Sequence, residues 1–156
     1  MTATAALTDE QLLAHALTVV NNCKVGLMCT AGPEGYPRGR WMSAAPQNGL
    51  RTLVTLTAQG TRKLEELAKN NRIGWTFSTD AYGDVVTLLG KATVSRDALR
   101  VQEAWDRLKE AVRTYAVGPL SDENHLQMVT IETSVDQIEV IFPALHILTP
   151  RVIKLR

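Results

Sequence analysis

Aromatic residues make up only 5% of this 156-residue chain, and its 17 basic residues nearly cancel its 16 acidic ones. A general nucleic-acid binder carries a basic excess, and a single-strand binder needs aromatic platforms. Both are missing, so a nucleic-acid-binding barrel is the remotest reading and no nucleic-acid partner is expected. No run of about 18 apolar residues occurs, so no span and no membrane partner is expected. Met1 to Leu7 lack a basic stretch followed by an apolar one, unlike a secretory leader. Cysteine is scarce too, with Cys23 and Cys29 alone, and His15, His125 and His146 are scattered. Their spacing fits no zinc site, so no metal is expected. Two buried, reduced thiols in a cytoplasmic protein is the plain expectation.

What is present suits one domain over residues 1–156, since 45% hydrophobic and 21% charged residues are ordinary for a globular chain with one core. Thr8-Asp9-Glu10-Gln11 reads as a capping box, and Leu12, Leu13, Ala16, Leu17 and Val20 recur at helical spacing. A helix over about 8–22, stopping at Asn21-Asn22, follows. Val25, Leu27 and Cys29 then alternate as in a half-buried strand. Gly32-Pro33-Glu34-Gly35 is a turn, Tyr36 to Pro46 a second extended run, Asn48-Gly49 a hairpin and Arg51 to Thr57 a third strand. These three strands read as an antiparallel meander.

Gly60-Thr61 opens a second helix, with Leu64, Leu67 and Ala68 on one face and Glu65 and Glu66 on another; Asn70-Asn71 ends it. Arg72 to Ser78 and Val85 to Ser95 are strands. Asp97 caps a long helix of about 97–117 with an apolar stripe of Val101, Ala104, Trp105, Leu108, Ala111, Val112 and Tyr115, and Gly118-Pro119 terminates it. Met128 to Ile131 and Gln137 to Phe142 are late strands, with Val152 to Leu155 at an edge. The sum is a mainly β fold with flanking helices: about six antiparallel strands in a barrel or strongly curled sheet.

One segment carries chemistry. In Thr57-Ala58-Gln59-Gly60-Thr61-Arg62-Lys63 a strand ends, a glycine bends the chain and a helix begins. Free backbone N–H groups and the positive end of the helix dipole lie there, yet Arg62 and Lys63 add two cations, each opposing the dipole by about 0.3–1 kcal/mol. That pattern works against stability and suits an anion such as phosphate. Arg38 and Arg40 alternate with Gly39 and Trp41, so both arginines share a face, and pairing between the second and third strands would bring them to the Gly60 turn. A solvated basic face is the competing reading. Trp105 and Trp75 read as core.

At these residues the sequence resembles the pyridoxamine 5'-phosphate oxidase-like family of FMN-binding split barrels. The matching elements are Val25-Gly26-Leu27-Met28-Cys29-Thr30, Tyr36-Pro37-Arg38-Gly39-Arg40-Trp41-Met42, Leu56 to Lys63, Asn70-Asn71-Arg72-Ile73 and Val86-Thr87-Leu88-Leu89-Gly90-Lys91-Ala92, in that order. The resemblance implies a six-stranded antiparallel split β-barrel with FMN at a homodimer interface. It implies that Thr61, Arg62 and Lys63 hold the 5'-phosphate with help from Arg40. Main-chain groups of Trp41, Met42, Ser43, Leu56 and Thr57 would line the flavin ring. Val85 stands where the family's oxidases often carry a flavin-contacting glutamine, and Ile147 to Arg156 lack their Arg and His pair. The likeness is therefore to the short, general-stress-type members and not to a true pyridoxamine phosphate oxidase. It implies an FMN-dependent oxidoreductase with unassigned substrate and no identifiable catalytic side chain. The alternatives are a non-catalytic flavin-binding stress protein and a split barrel using a deazaflavin or haem.

Overall fold

The chain enters its fold through the expected capping box. In a computed structural model that describes residues 6–115 and 127–156, the Gln11 N–H donates to Thr8 Oγ1 at 3.2 Å and the Thr8 N–H to Gln11 Oε1 at 2.9 Å. Helix α1 (Asp9–Cys23) buries Leu12, Ala16, Val19 and Val20. Strand β1 (Val25–Ala31) follows, with Gly26, Met28 and Thr30 inward. Val25, Leu27 and Cys29, which carry the apolar alternation, instead lie half-buried on the outer face. Gly26 leaves room for the Phe77 ring, since a Cβ there would stand 2.5 Å from it.

The run from Tyr36 to Pro46 is not one strand but two. Strand β2 (Pro37–Ser43) pairs with β1, whereas β3 (Ala45–Gln47) pairs with β4 (Thr52–Ala58). With β5 (Arg72–Ser78), β6 (Val85–Ser95) and β7 (Met128–Phe142), the sheet order is β2-β1-β5-β6-β7-β4-β3, and β8 (Ile147–Lys154) adds beside β7. Every pairing is antiparallel. Strands β2 and β3 sit at opposite ends of this path, yet only Ala44 separates them. Two residue steps span at most about 7 Å, so the sheet must curl until its ends meet. This corrects the expected meander: the middle run is shared between the two ends, and β2 does not pair with β4.

Among the described residues eight strands stand where about six were expected, because that run divides and β8 is a full strand. The two late strands meanwhile fuse into the 15-residue β7, which shifts register opposite Leu89 and Gly90. Two apolar clusters result. Met28, Leu53, Trp75, Phe77, Leu88 and Ile138 fill the barrel with α1, and the Trp75 indole N–H donates to Thr133 Oγ1 at 3.1 Å. Outside it, α3 (Ala98–Tyr115) lays Val101, Ala104, Trp105 and Leu108 on Val54, Leu56 and Met128. Asp97 caps α3 as expected, accepting the Arg100 N–H at 3.0 Å. The Tyr115 side chain, Gly118-Pro119 and His125 lie outside the described residues. Cys23 and Cys29 are free thiols, half-buried where full burial was expected.

Candidate functional site

Strand β4 ends at Ala58, Gly60 turns at φ +73°, and Thr61 becomes the N-cap of α2 (Arg62–Lys69). Thr is a good N-cap because its hydroxyl can accept a first-turn N–H. Thr61 does not use it so: its Oγ1 makes no cap bond and, among the described residues, is buried without a partner. An unsatisfied buried polar atom costs about 1–3 kcal/mol, so a local rule is broken at the first turn of the helix.

The neighbours of that hydroxyl are cationic. Lys63 Nζ donates to Thr57 Oγ1 at 2.9 Å. Burial pushes the Lys63 ammonium below the usual lysine range and nearby Arg40 pushes it further, while Glu66 partly offsets both. Arg40 Nη1 donates to Thr30 Oγ1 at 2.6 Å and to the Arg38 carbonyl at 3.0 Å. Arg38 and Arg40 share a face, as their alternation predicted, and both reach Glu66 Oε1 at 3.5 Å. Arg62 Nε lies at the same distance from that oxygen, but its side chain is 67% exposed and forms the rim. A cleft of about 470 Å³, lined by Arg38, Arg62, Glu66 and Lys69 among others, opens beside the cluster.

Two expectations about α2 are corrected by its helical phase. Glu66 is buried rather than on an outer face, and Ala68 is exposed rather than in the apolar stripe. At 3.6 residues per turn, Lys63, Glu66 and Leu67 project together; Glu66 meets β1 and β2 at Thr30, Arg38 and Arg40, and Lys63 meets β4 at Thr57. Composition pointed to Leu and Ala as the inward residues; the cations of β2 made a carboxylate inward instead. Glu66, Thr30 and the Thr57 hydroxyl are the site residues the sequence reading missed. The i,i+4 spacing of Arg62 and Glu66 was the available signal.

Arg40 arrives without the strand pairing first supposed. Among the described residues the outer edge of β2 has no partner strand, and β3 covers β4 only as far as Val54, so one edge of β4 from Thr55 to Ala58 is also without a partner strand. Thr55 Oγ1 bridges to the Ser43 carbonyl at 2.5 Å. The main chains of Trp41, Met42 and Ser43 thus belong to one unpaired edge, and those of Leu56 and Thr57 to the other, with the cation cluster nearby. The Trp41 side chain points away and is 72% exposed, while Leu56 packs its side chain toward α3. A hollow of about 500 Å³ on the outer face, bordered by Cys29, Gly74 and Leu89, contains none of the expected site residues. Among the described residues no group of three His, Cys, Asp or Glu is placed to hold a metal. No described helix is long and apolar enough to cross a membrane.

The arrangement can bind a terminal anion and, along the strand edges, a planar group with hydrogen-bonding rims. The profile of the family Pyridoxamine 5'-phosphate oxidase matches residues 12–141. No curated protein matches the sequence. Among solved structures, a Clostridium acetobutylicum protein related to general stress protein 26, of the pyridoxinephosphate oxidase family, is 22% identical over 95% of this chain and 97% of its own, with a TM-score of 0.76. General stress protein 26 of Bacillus anthracis is 15% identical over 92% of this chain and 98% of its own, with a TM-score of 0.69. A FAD-binding protein of Mesorhizobium loti is 19% identical over 85% of this chain and 92% of its own, with a TM-score of 0.66. At such identities these structures share a fold with the chain, and the fold is a split barrel.

Proposed function

This chain belongs to the pyridoxamine 5'-phosphate oxidase family, and from that premise we propose that it is an FMN-binding oxidoreductase. The reading rests on one observation above all: the partnerless Thr61 hydroxyl is buried in the turn that also carries Lys63. A phosphate monoester brings acceptor oxygens for such a hydroxyl, for the first amides of α2 and for the remaining protons of Lys63, Arg62 and Arg40. The unpaired edges at Trp41 to Ser43 and at Leu56 and Thr57 would then border the flavin ring. When bound, the flavin supplies the hydride or electron chemistry, and the protein supplies position and electrostatics. No side chain in this cluster is assigned as acid or base.

The same reading makes the protein a cytoplasmic homodimer with the cofactor near the interface. The two free thiols suit a reducing compartment. Trp41 lies opposite Leu27 on the outer face, which also carries half-buried Val25 and Cys29 of β1 and, three strands from Trp41, exposed Leu89 of β6, and a second copy would cover this apolar surface.

The visible spectrum of the purified protein tests the function. A flavin spectrum that bleaches with NAD(P)H or another donor is expected. A protein that is colourless and takes up no flavin on titration refutes the reading, and bound flavin that no donor reduces refutes its oxidoreductase part.

A further inference from the structure

We propose that Glu66 is the positioning residue of the phosphate cradle: its buried carboxylate orients Arg40 and gathers Arg38 and Arg62, so that the site prefers a phosphorylated flavin to an unphosphorylated one. The inference rests on the flavin reading above and adds a residue to it.

The side chain of Glu66 is 4% exposed. A carboxyl group so deeply placed needs partners. Its Oε2 accepts the Thr30 hydroxyl at 3.1 Å, and its Oε1 stands 3.5 Å from nitrogens of Arg38, Arg40 and Arg62. The single hydroxyl proton of Thr30 goes to Glu66, which leaves the Thr30 oxygen free to accept from Arg40 Nη1. Glu66 therefore holds Arg40 twice, directly and through Thr30. Of the five guanidinium protons, three are directed to Thr30, the Arg38 carbonyl and Glu66, leaving two for an incoming oxyanion.

Charge makes the same case. Arg38, Arg40, Arg62 and Lys63 are four cations about one carboxylate, and in its absence they repel one another. Long basic side chains so released turn toward water. The 3.5 Å separations are looser than tight charge-assisted bonds of about 2.7–2.9 Å. An arriving dianion can thus draw exposed Arg62 across while Thr30 and the Arg38 carbonyl keep Arg40 in place. A neutral ribityl end offers nothing for this apparatus to hold.

Glu66→Gln keeps the volume and an acceptor for Thr30 but removes the charge. Dissociation constants for FMN and for riboflavin, from quenching of flavin fluorescence, are read beside the melting temperature of the flavin-free protein. The expected result is FMN affinity at least tenfold weaker with riboflavin affinity within twofold of wild type. The alkaline limit of FMN binding should also move to lower pH. Lys63 then loses the one anion facing it from α2, while Arg38 and Arg40 of β2 and Arg62 of α2 remain. Thr30→Val, which cuts the hydroxyl link and keeps the charge, should shift FMN in the same direction by less, and it decides the matter if the glutamine variant fails to fold. FMN affinity unchanged or tighter in folded variants, or both flavins weakened in parallel, overturns the role given to Glu66. Wild-type protein that binds both flavins equally, or neither, refutes the phosphate cradle itself and this inference with it.

Discussion

Lys63 Nζ and Thr57 Oγ1, six residues apart in sequence, meet at 2.9 Å across the turn that Gly60 makes possible. The contact joins the buried end of β4 to the first turn of α2 and fixes where the ammonium lies. Among the described residues the hydroxyl of Thr61, between them in sequence, has no partner.

Replacing Lys63 with alanine should weaken FMN binding by roughly ten- to a hundredfold, the worth of one hydrogen bond to a charged group at about 1.5–3 kcal/mol. The double variant with Arg40→Ala should nearly abolish it. Titration followed by flavin fluorescence measures both. Unchanged affinity in the double variant would place the phosphate elsewhere.

Lys63 also gives the protein opposite pH dependences with and without ligand. Burial and Arg40 lower its folded-state value below the ordinary 10.5. Between those two values the unfolded chain binds more protons, so the flavin-free protein gains stability as pH rises. Below the folded value the penalty is present in full. The melting temperature of Lys63→Met, measured against wild type, should exceed it most near neutral pH, and the gap should close toward pH 10.5. FMN affinity should instead fall on that alkaline side, and on the acid side below about pH 6, where the phosphate gains its proton. A gap that widens with pH would contradict the assignment.

Gly90 should tolerate no side chain. A Cβ there would lie 2.0 Å from the Ser134 carbonyl oxygen, where β6 and β7 shift register, and backbone has no room to yield. Gly90→Ala should cost about 1–3 kcal/mol or more by overpacking. At Gly74 the nearest atom is the flexible end of Leu89 at 3.3 Å, so Gly74→Ala should cost less. Urea denaturation midpoints compare them, and equal losses would show that the Gly90 contact is not limiting.

The homodimer proposal is open to a single substitution. Trp41→Arg puts a charge on the outer apolar face without touching the cation cluster, which lies on the other side of β2. Sedimentation of wild type should give a dimer and of the variant a monomer. A monomeric wild type would dispose of the interface.

Local order was legible wherever local chemistry decides it. The capping box at Thr8, the strands Arg72 to Ser78 and Val85 to Ser95, and the cap at Asp97 stand as read. Arg62 and Lys63 stood out because cations in the first turn of a helix contradict that helix's own preference, and Arg38 and Arg40 because they alternate along one face of a strand. The stripes of α1 and α3 face inward as read, but periodicity misled about direction in β1 and α2. In β1 Val25, Leu27 and Cys29 face out while Met28 faces in, and in α2 a glutamate faces in.

Alternation and helical spacing state that two faces differ, and the sequence by itself determined that much, along with the turns, caps and the cation-rich Gly60 segment. Only the tertiary structure decided which face is interior, because that depends on strands far apart in the chain. The division of one extended run at Ala44 between the two ends of the sheet is the clearest case. Curling of the whole sheet, a long-range packing outcome, is what brings Arg40 to α2, leaves two strand edges unpaired and encloses Glu66 among arginines.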